Sequence, residues 1–96
     1  MKPSDRFKFL LYVAGDTPNS AKAVANLSQF CGTHLPGRHE FKIIDVFKEP
    51  MRALADAVFM TPMLIKLSPS PGRRIVGTLG QPDVLIDAMG VEMAAA

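Results

Sequence analysis

The chain has 96 residues, room for one hydrophobic core and not for two. It is 48% hydrophobic and 21% charged, a globular balance without low-complexity tracts. A net charge of +2 is too small to hold nucleic acid by bulk electrostatics, and a single cysteine excludes an internal disulfide.

Residues 1–6 lack the shape of a signal peptide and are expected to form a flexible tail ahead of one domain over 7–90. The apolar run from Phe7 to Ala14, broken by Lys8, is far too short to span a membrane. With one cysteine, this points to a reducing cytoplasm.

Phe7 to Val13 is aromatic and β-branched with apolar residues on both faces, the signature of an interior strand. Ala14 to Pro18 ends it, with Thr17 placed to cap a helix and Pro18 suited to its first position. Ala23, Val24, Leu27, Phe30 and Cys31 recur at helical spacing, and Gly32 with Pro36-Gly37 is expected to stop that helix. Phe41 to Phe47 reads as a second strand, which completes a parallel, right-handed βαβ unit. Pro50 opens a short helix with Met51, Leu54 and Val58 on one face and Arg52 and Asp56 elsewhere. Met63 to Leu67 and Arg73 to Gly77 flank Ser68-Pro69-Ser70-Pro71-Gly72, an antiparallel hairpin with a stiff loop. A last helix is bracketed by Pro82 and Gly90, and residues 91–96 are expected to fray.

The order βαβαββα predicts an α/β domain of thioredoxin-like type, with a four-stranded mixed sheet covered by helices on both faces. Thr61-Pro62 before the third strand stands where such folds place a cis-proline.

The chemistry of that fold's redox enzymes is missing. They carry a Cys-x-x-Cys pair where the first helix begins, because the helix N-terminus lowers the thiol pKa. Here the turn reads Gly15-Asp16-Thr17-Pro18-Asn19-Ser20, and Cys31 sits near the far end of the helix. Cys31 is read as a small buried hydrophobe. Thr17 and Ser20 are read as capping residues rather than as hydroxyls for a glutathione thiolate. His34 and His39 flank the Pro36-Gly37 turn without a carboxylate or thiol to complete a metal set. The sequence calls for no cofactor, no metal and no catalytic group. Arg73-Arg74 suits an acidic partner through bidentate contacts, against the plainer reading of a solvated hairpin end.

Leu11 to Ser20 resembles the signature of the KaiB family of circadian-clock proteins. Three blocks continue it in order: Ile44-Asp45-Val46 with Lys48 and Pro50, then Thr61-Pro62 with Leu64 and Lys66, then Pro69, Pro71 and Arg73 to Gly77. The resemblance covers about Phe7 to Met89. It implies a non-enzymatic regulator that binds the N-terminal ATPase ring of a hexameric KaiC-type kinase. Lys22, Lys42, Arg73 and Arg74 stand where the family carries basic residues linked to complex formation. The family also has an alternative packing of the C-terminal half that forms tetramers, which allows a homo-oligomer here. Pro62, Gly77, Asp87 and Met89 are the positions expected to decide between the two packings.

The sequence departs from the family in several places. The usual Gly-Asp-Leu-Ser reads Gly77-Thr78-Leu79-Gly80, Gly72 precedes the arginines, Arg52 replaces a leucine, and Asp87 and Met89 replace a glycine and an aspartate. These departures describe a divergent member and argue against a KaiA partner. Two other readings compete: a detached sensor domain of a histidine-kinase pathway, and a glutathione-dependent transferase using Ser20. Val84, Leu85, Ala88 and Met89 form a helix face with no glycine between Pro82 and Gly90. The thioredoxin-like packing is therefore the expected state of the free chain.

Overall fold

A computed structural model describes residues 6–90. The expected tails lie outside the described residues except for Arg6, whose guanidinium is 3.6 Å from the Glu40 carboxylate. Both partners are more than half exposed, so this pair contributes little to stability.

The elements run β1 (Phe7–Val13), α1 (Pro18–His34), β2 (His39–Asp45), α2 (Pro50–Ala55), β3 (Met63–Ser68), β4 (Arg73–Val76) and α3 (Pro82–Met89). They build one four-stranded sheet in the order β2-β1-β3-β4. β1 pairs with β2 in parallel and with β3 antiparallel, and β3 pairs with β4 antiparallel. β1 and β3 are therefore interior, which is why they carry the continuous apolar runs, and the charged residues of β2 and β4 fall on edges.

Side chains alternate across the sheet and sort into two cores. Phe7, Phe9, Leu11 and Leu64 meet Leu27, Phe30 and Leu85 under α1 and α3. Leu10, Tyr12, Met63 and Ile65 meet Ala53 and Val58 on the α2 side. Each fully buried large side chain contributes about 1.5–3 kcal/mol, so the aromatic and leucine content of β1 anchors both layers.

The predicted β1, α3 and β3–β4 hairpin are present, and Gly90 closes α3 in the left-handed conformation at φ +69°. Residues 84–89 are helical, so the structure holds the thioredoxin-like packing of the C-terminal half. Three proline peptide bonds are cis: Thr61–Pro62, Ser68–Pro69 and Ser70–Pro71. Pro62 is buried, and its carbonyl accepts the Gly77 N–H at 2.9 Å. Gly77 has φ +118°, a backbone setting that strains any side chain. Beyond it the Asn26 side-chain amide donates to the Thr78 carbonyl at 2.7 Å, tying the loop before α3 to α1.

Three expectations are corrected. β2 begins and ends two residues early, at His39 and Asp45 rather than Phe41 and Phe47. The Asp45 carboxylate accepts the N–H groups of Gly15 at 3.2 Å and Phe47 at 2.9 Å, and this side-chain turn terminates the strand. α1 runs through Gly32 to His34. Gly32 sits in open space, and the helix is held beyond it by the fully buried Leu35, whose N–H donates to the Cys31 carbonyl at 2.9 Å.

The third correction is the face of α2. Met51 and Leu54, expected inside, are 74% and 59% exposed. Ala53 is buried instead, and Asp56 points back to the sheet, where its carboxylate accepts the Tyr12 hydroxyl. Alanine allows the short helix close to the sheet, and the Tyr12 hydroxyl requires a polar partner there. These two demands set the rotation of α2.

Candidate partner-binding surface

The turn that would hold redox cysteines is filled by internal hydrogen bonds. Thr17 Oγ1 accepts the Ser20 N–H at 3.3 Å, the capping bond expected from sequence. The buried Ser20 hydroxyl oxygen accepts the Ala14 N–H at 3.1 Å and lies 2.7 Å from Thr17 Oγ1. Both hydroxyls thus join the end of β1 to the start of α1. An open groove of about 620 Å³ lies beside this turn, lined by Val13, Val24 and Ile43 with Asp16, Asp45 and Lys48 among its polar residues.

Cys31 is fully buried, and burial pushes its thiol up to about 11. At neutral pH it stays a thiol and lacks the thiolate that exchange chemistry needs. A thiol reagent should therefore label the folded chain at least ten times more slowly than the unfolded chain. Equal rates would refute this. His39 Nδ1 lies 2.7 Å from the Leu35 carbonyl, and the His34 ring lies tilted against Phe30 with ring centroids 4.6 Å apart. No group of three or more potential metal ligands occurs among the described residues.

The basic residues singled out by resemblance do not form one patch. Lys22 is exposed on α1, Lys42 on β2 and Arg73 and Arg74 on β4. β2 and β4 are opposite edges of the sheet. The arginines share a strand but face opposite ways. Arg73 pairs in register with Lys66, on the α1/α3 side, and Arg74 with Ile65, on the α2 side. Arg74 donates to the carbonyl oxygens of Asp56 and Ala57, so its guanidinium is held beside the end of α2. The Arg73 side chain makes no hydrogen bond or ion pair among the described residues.

Two further features escaped the sequence reading. Large apolar side chains stand exposed on α2 and the segments either side of it: Phe47, Met51, Leu54, Phe59 and Met60. A helix of six residues is too short for its periodicity to tell an inward face from an outward one. The other is Lys66, only 4% exposed on β3. Its ammonium donates to the Met89 carbonyl at 3.2 Å and lies 5.6 Å from the Phe7 ring centroid. Burial, and then the Arg73 charge, lower its pKa from the ordinary lysine value. The alternation of β3 places residue 66 inside, and a lysine there was the available signal.

A family model described as the KaiB domain matches residues 10–86 of the chain. The circadian clock oscillator protein KaiB of Prochlorococcus marinus (strain MIT 9313) is 39% identical over 100 residues, covering 97% of this chain and 84% of that protein. That of Synechococcus sp. (strain RCC307) is 43% identical over 79 residues, covering 82% and 72%. Among solved structures, the N-terminal domain of Synechococcus elongatus SasA superposes with a TM-score of 0.74 at 16% identity, covering 100% of this chain and 94% of that one. Chloroplastic thioredoxin z also gives 0.74, at 17% identity, covering 90% and 77%. At such identities these two likenesses concern the fold alone. Among the described residues no helix is long and apolar enough to cross a membrane.

Proposed function

The chain belongs to the KaiB family of circadian-clock proteins, and from that premise we propose that it is a non-enzymatic clock regulator binding the N-terminal ATPase ring of a KaiC-type kinase. The observation that carries this reading is the edge strand β4, where Arg73 and Arg74 stand exposed and without ion-pair partners among the described residues. An exposed arginine offers a planar fork to carboxylates. The apolar side chains of α2 and its neighbouring loops, close to Arg74, add contact area of the kind that soluble monomers seldom expose. Lys22 lies on α1 and Lys42 on the opposite edge strand β2, so they serve the encounter through charge rather than the same contact.

The turn from Gly15 to Ser20 supports a binding role from the other side. Its hydroxyls close the structure, so transferase chemistry at Ser20 would have to break the joint between β1 and α1.

Sedimentation of the chain with a purified KaiC-type hexamer is expected to give a complex whose affinity falls as salt rises. No co-sedimentation at low salt would overturn the proposal.

A further inference from the structure

The methionines among the described residues fall into two groups. Met63 is 8% exposed and Met89 1%, each packed into one of the two cores. The Met63 sulfur also accepts an Arg74 N–H at 3.6 Å. Met51 and Met60 are instead 74% and 62% exposed, one in the first turn of α2 and the other just beyond the helix. Both belong to the exposed apolar stretch that carries Phe47, Leu54 and Phe59. That stretch runs through Asp56 and Ala57, whose carbonyl oxygens hold Arg74. Leucine would give the same apolar area and be inert to oxidants, whereas a thioether is oxidised readily where water reaches it.

The chain's one thiol does not compete. Cys31 is fully buried, and burial pushes it up to about 11, so it lacks the reactive thiolate at neutral pH. Met51 and Met60 are therefore the sulfur atoms most open to an oxidant among the described residues.

We propose that Met51 and Met60 form a reversible oxidation site that sets the polarity of the α2 surface. A hydroperoxide delivers one oxygen atom to the thioether. Its O–O bond breaks, an S–O bond forms, the sulfur loses two electrons and the peroxide leaves as water or an alcohol. A methionine sulfoxide reductase returns the thioether, with two thiols oxidised to a disulfide and the oxygen released as water. The sulfoxide is polar, so burying it against a partner leaves an oxygen to desolvate where the thioether left none. The effect on binding rests on the partner reading above, whereas the oxidation and the change of surface polarity need only the free chain.

Peptide mapping by mass spectrometry during hydrogen peroxide treatment of the folded full chain tests the site directly. Met51 and Met60 should gain oxygen about ten times faster than Met63 and Met89, or more, as exposed against buried thioethers. Equal rates overturn the site. The oxidised chain should leave a phenyl column at higher salt than the untreated one, and methionine sulfoxide reductases with dithiothreitol should restore its retention. Unchanged retention overturns the effect on polarity. Circular dichroism should be the same before and after oxidation, and lost helix signal would overturn a change confined to the surface. Affinity of the wild type for the KaiC-type hexamer should fall roughly tenfold on oxidation, the lower range for burying one methionine side chain. The double variant Met51→Leu, Met60→Leu is compared with its own untreated sample, and peroxide should change neither its retention nor its affinity. An equal loss in that variant overturns the proposal by placing the effect elsewhere. Failure of the untreated chain to bind the hexamer would overturn the partner reading, while mapping and retention still decide the oxidation site.

Discussion

Changing Arg73 and Arg74 together to alanine should weaken binding to a KaiC-type ring by roughly ten- to a hundredfold, the range of one or two interface arginines. Salt dependence should flatten in parallel, because the charges that made binding salt-sensitive are gone. The two single changes should differ in kind. Arg74 donates to the carbonyl oxygens of Asp56 and Ala57, so Arg74→Ala should also lower stability by about 0.5–1.5 kcal/mol, the range for exposed hydrogen bonds of this type. Arg73 makes no such bond among the described residues, and Arg73→Ala should lower affinity with no loss of stability. Calorimetric titration against the hexamer, with denaturant melts of each variant, reads both quantities. If affinity and salt slope are unchanged in the double variant, the arginines are a solvated sheet edge. If Arg74→Ala is as stable as wild type, its carbonyl contacts carry no weight in solution.

The order of elements was readable because most of them are long or strongly marked. β1 is a seven-residue apolar run, α1 repeats its buried side chains through Ala23, Leu27, Phe30 and Cys31, and the Pro-rich loop leaves a hairpin as the connection between β3 and β4. The failures lie where a single tertiary contact outweighs local pattern. α2 is six residues, and its rotation is set by Tyr12, forty-four positions from Asp56 in sequence, which no spacing along the helix reveals. The end of β2 was missed for a similar reason, since Asp45 commits its carboxylate to two backbone donors rather than continuing the ladder.

The candidate surface was legible as residues and not as geometry. Arg73 and Arg74 are adjacent in sequence and read as one charged unit, but a strand sends neighbours to opposite faces. Only the register places Arg73 against Lys66 and Arg74 against Ile65. The exposed Phe47, Phe59 and Met60 could not be told from core residues by composition, because apolar type alone does not say which side of the chain water reaches.

Tyr12→Phe should cost roughly 1.5–3 kcal/mol at neutral pH, the range for a hydrogen bond to a charged group. The Tyr12 ring is fully buried in the α2-side core, and its hydroxyl donates to the Asp56 carboxylate. Phenylalanine keeps the packing and removes that bond. Burial first, and then the hydrogen bond and charge of Asp56, raise the Tyr12 pKa above the ordinary value of 10.0. A group whose folded pKa is raised contributes stability that is complete below its unfolded pKa and is lost as the pH climbs through the folded one. Wild type should therefore lose stability above about pH 10, and this component of the loss should be missing in Tyr12→Phe. Asp56 also offers its backbone carbonyl to Arg74, so the same residue joins the β1 core to the proposed contact. Tyr12→Phe and Arg74→Ala should accordingly be non-additive in denaturant melts, coupled by about 0.5 kcal/mol or more as for residues in one hydrogen-bond network. Tyr12→Phe should also weaken hexamer binding although Tyr12 itself is buried, because Arg74 loses a fixed anchor. Additive melts with unchanged affinity would show that Asp56 serves the two sides independently.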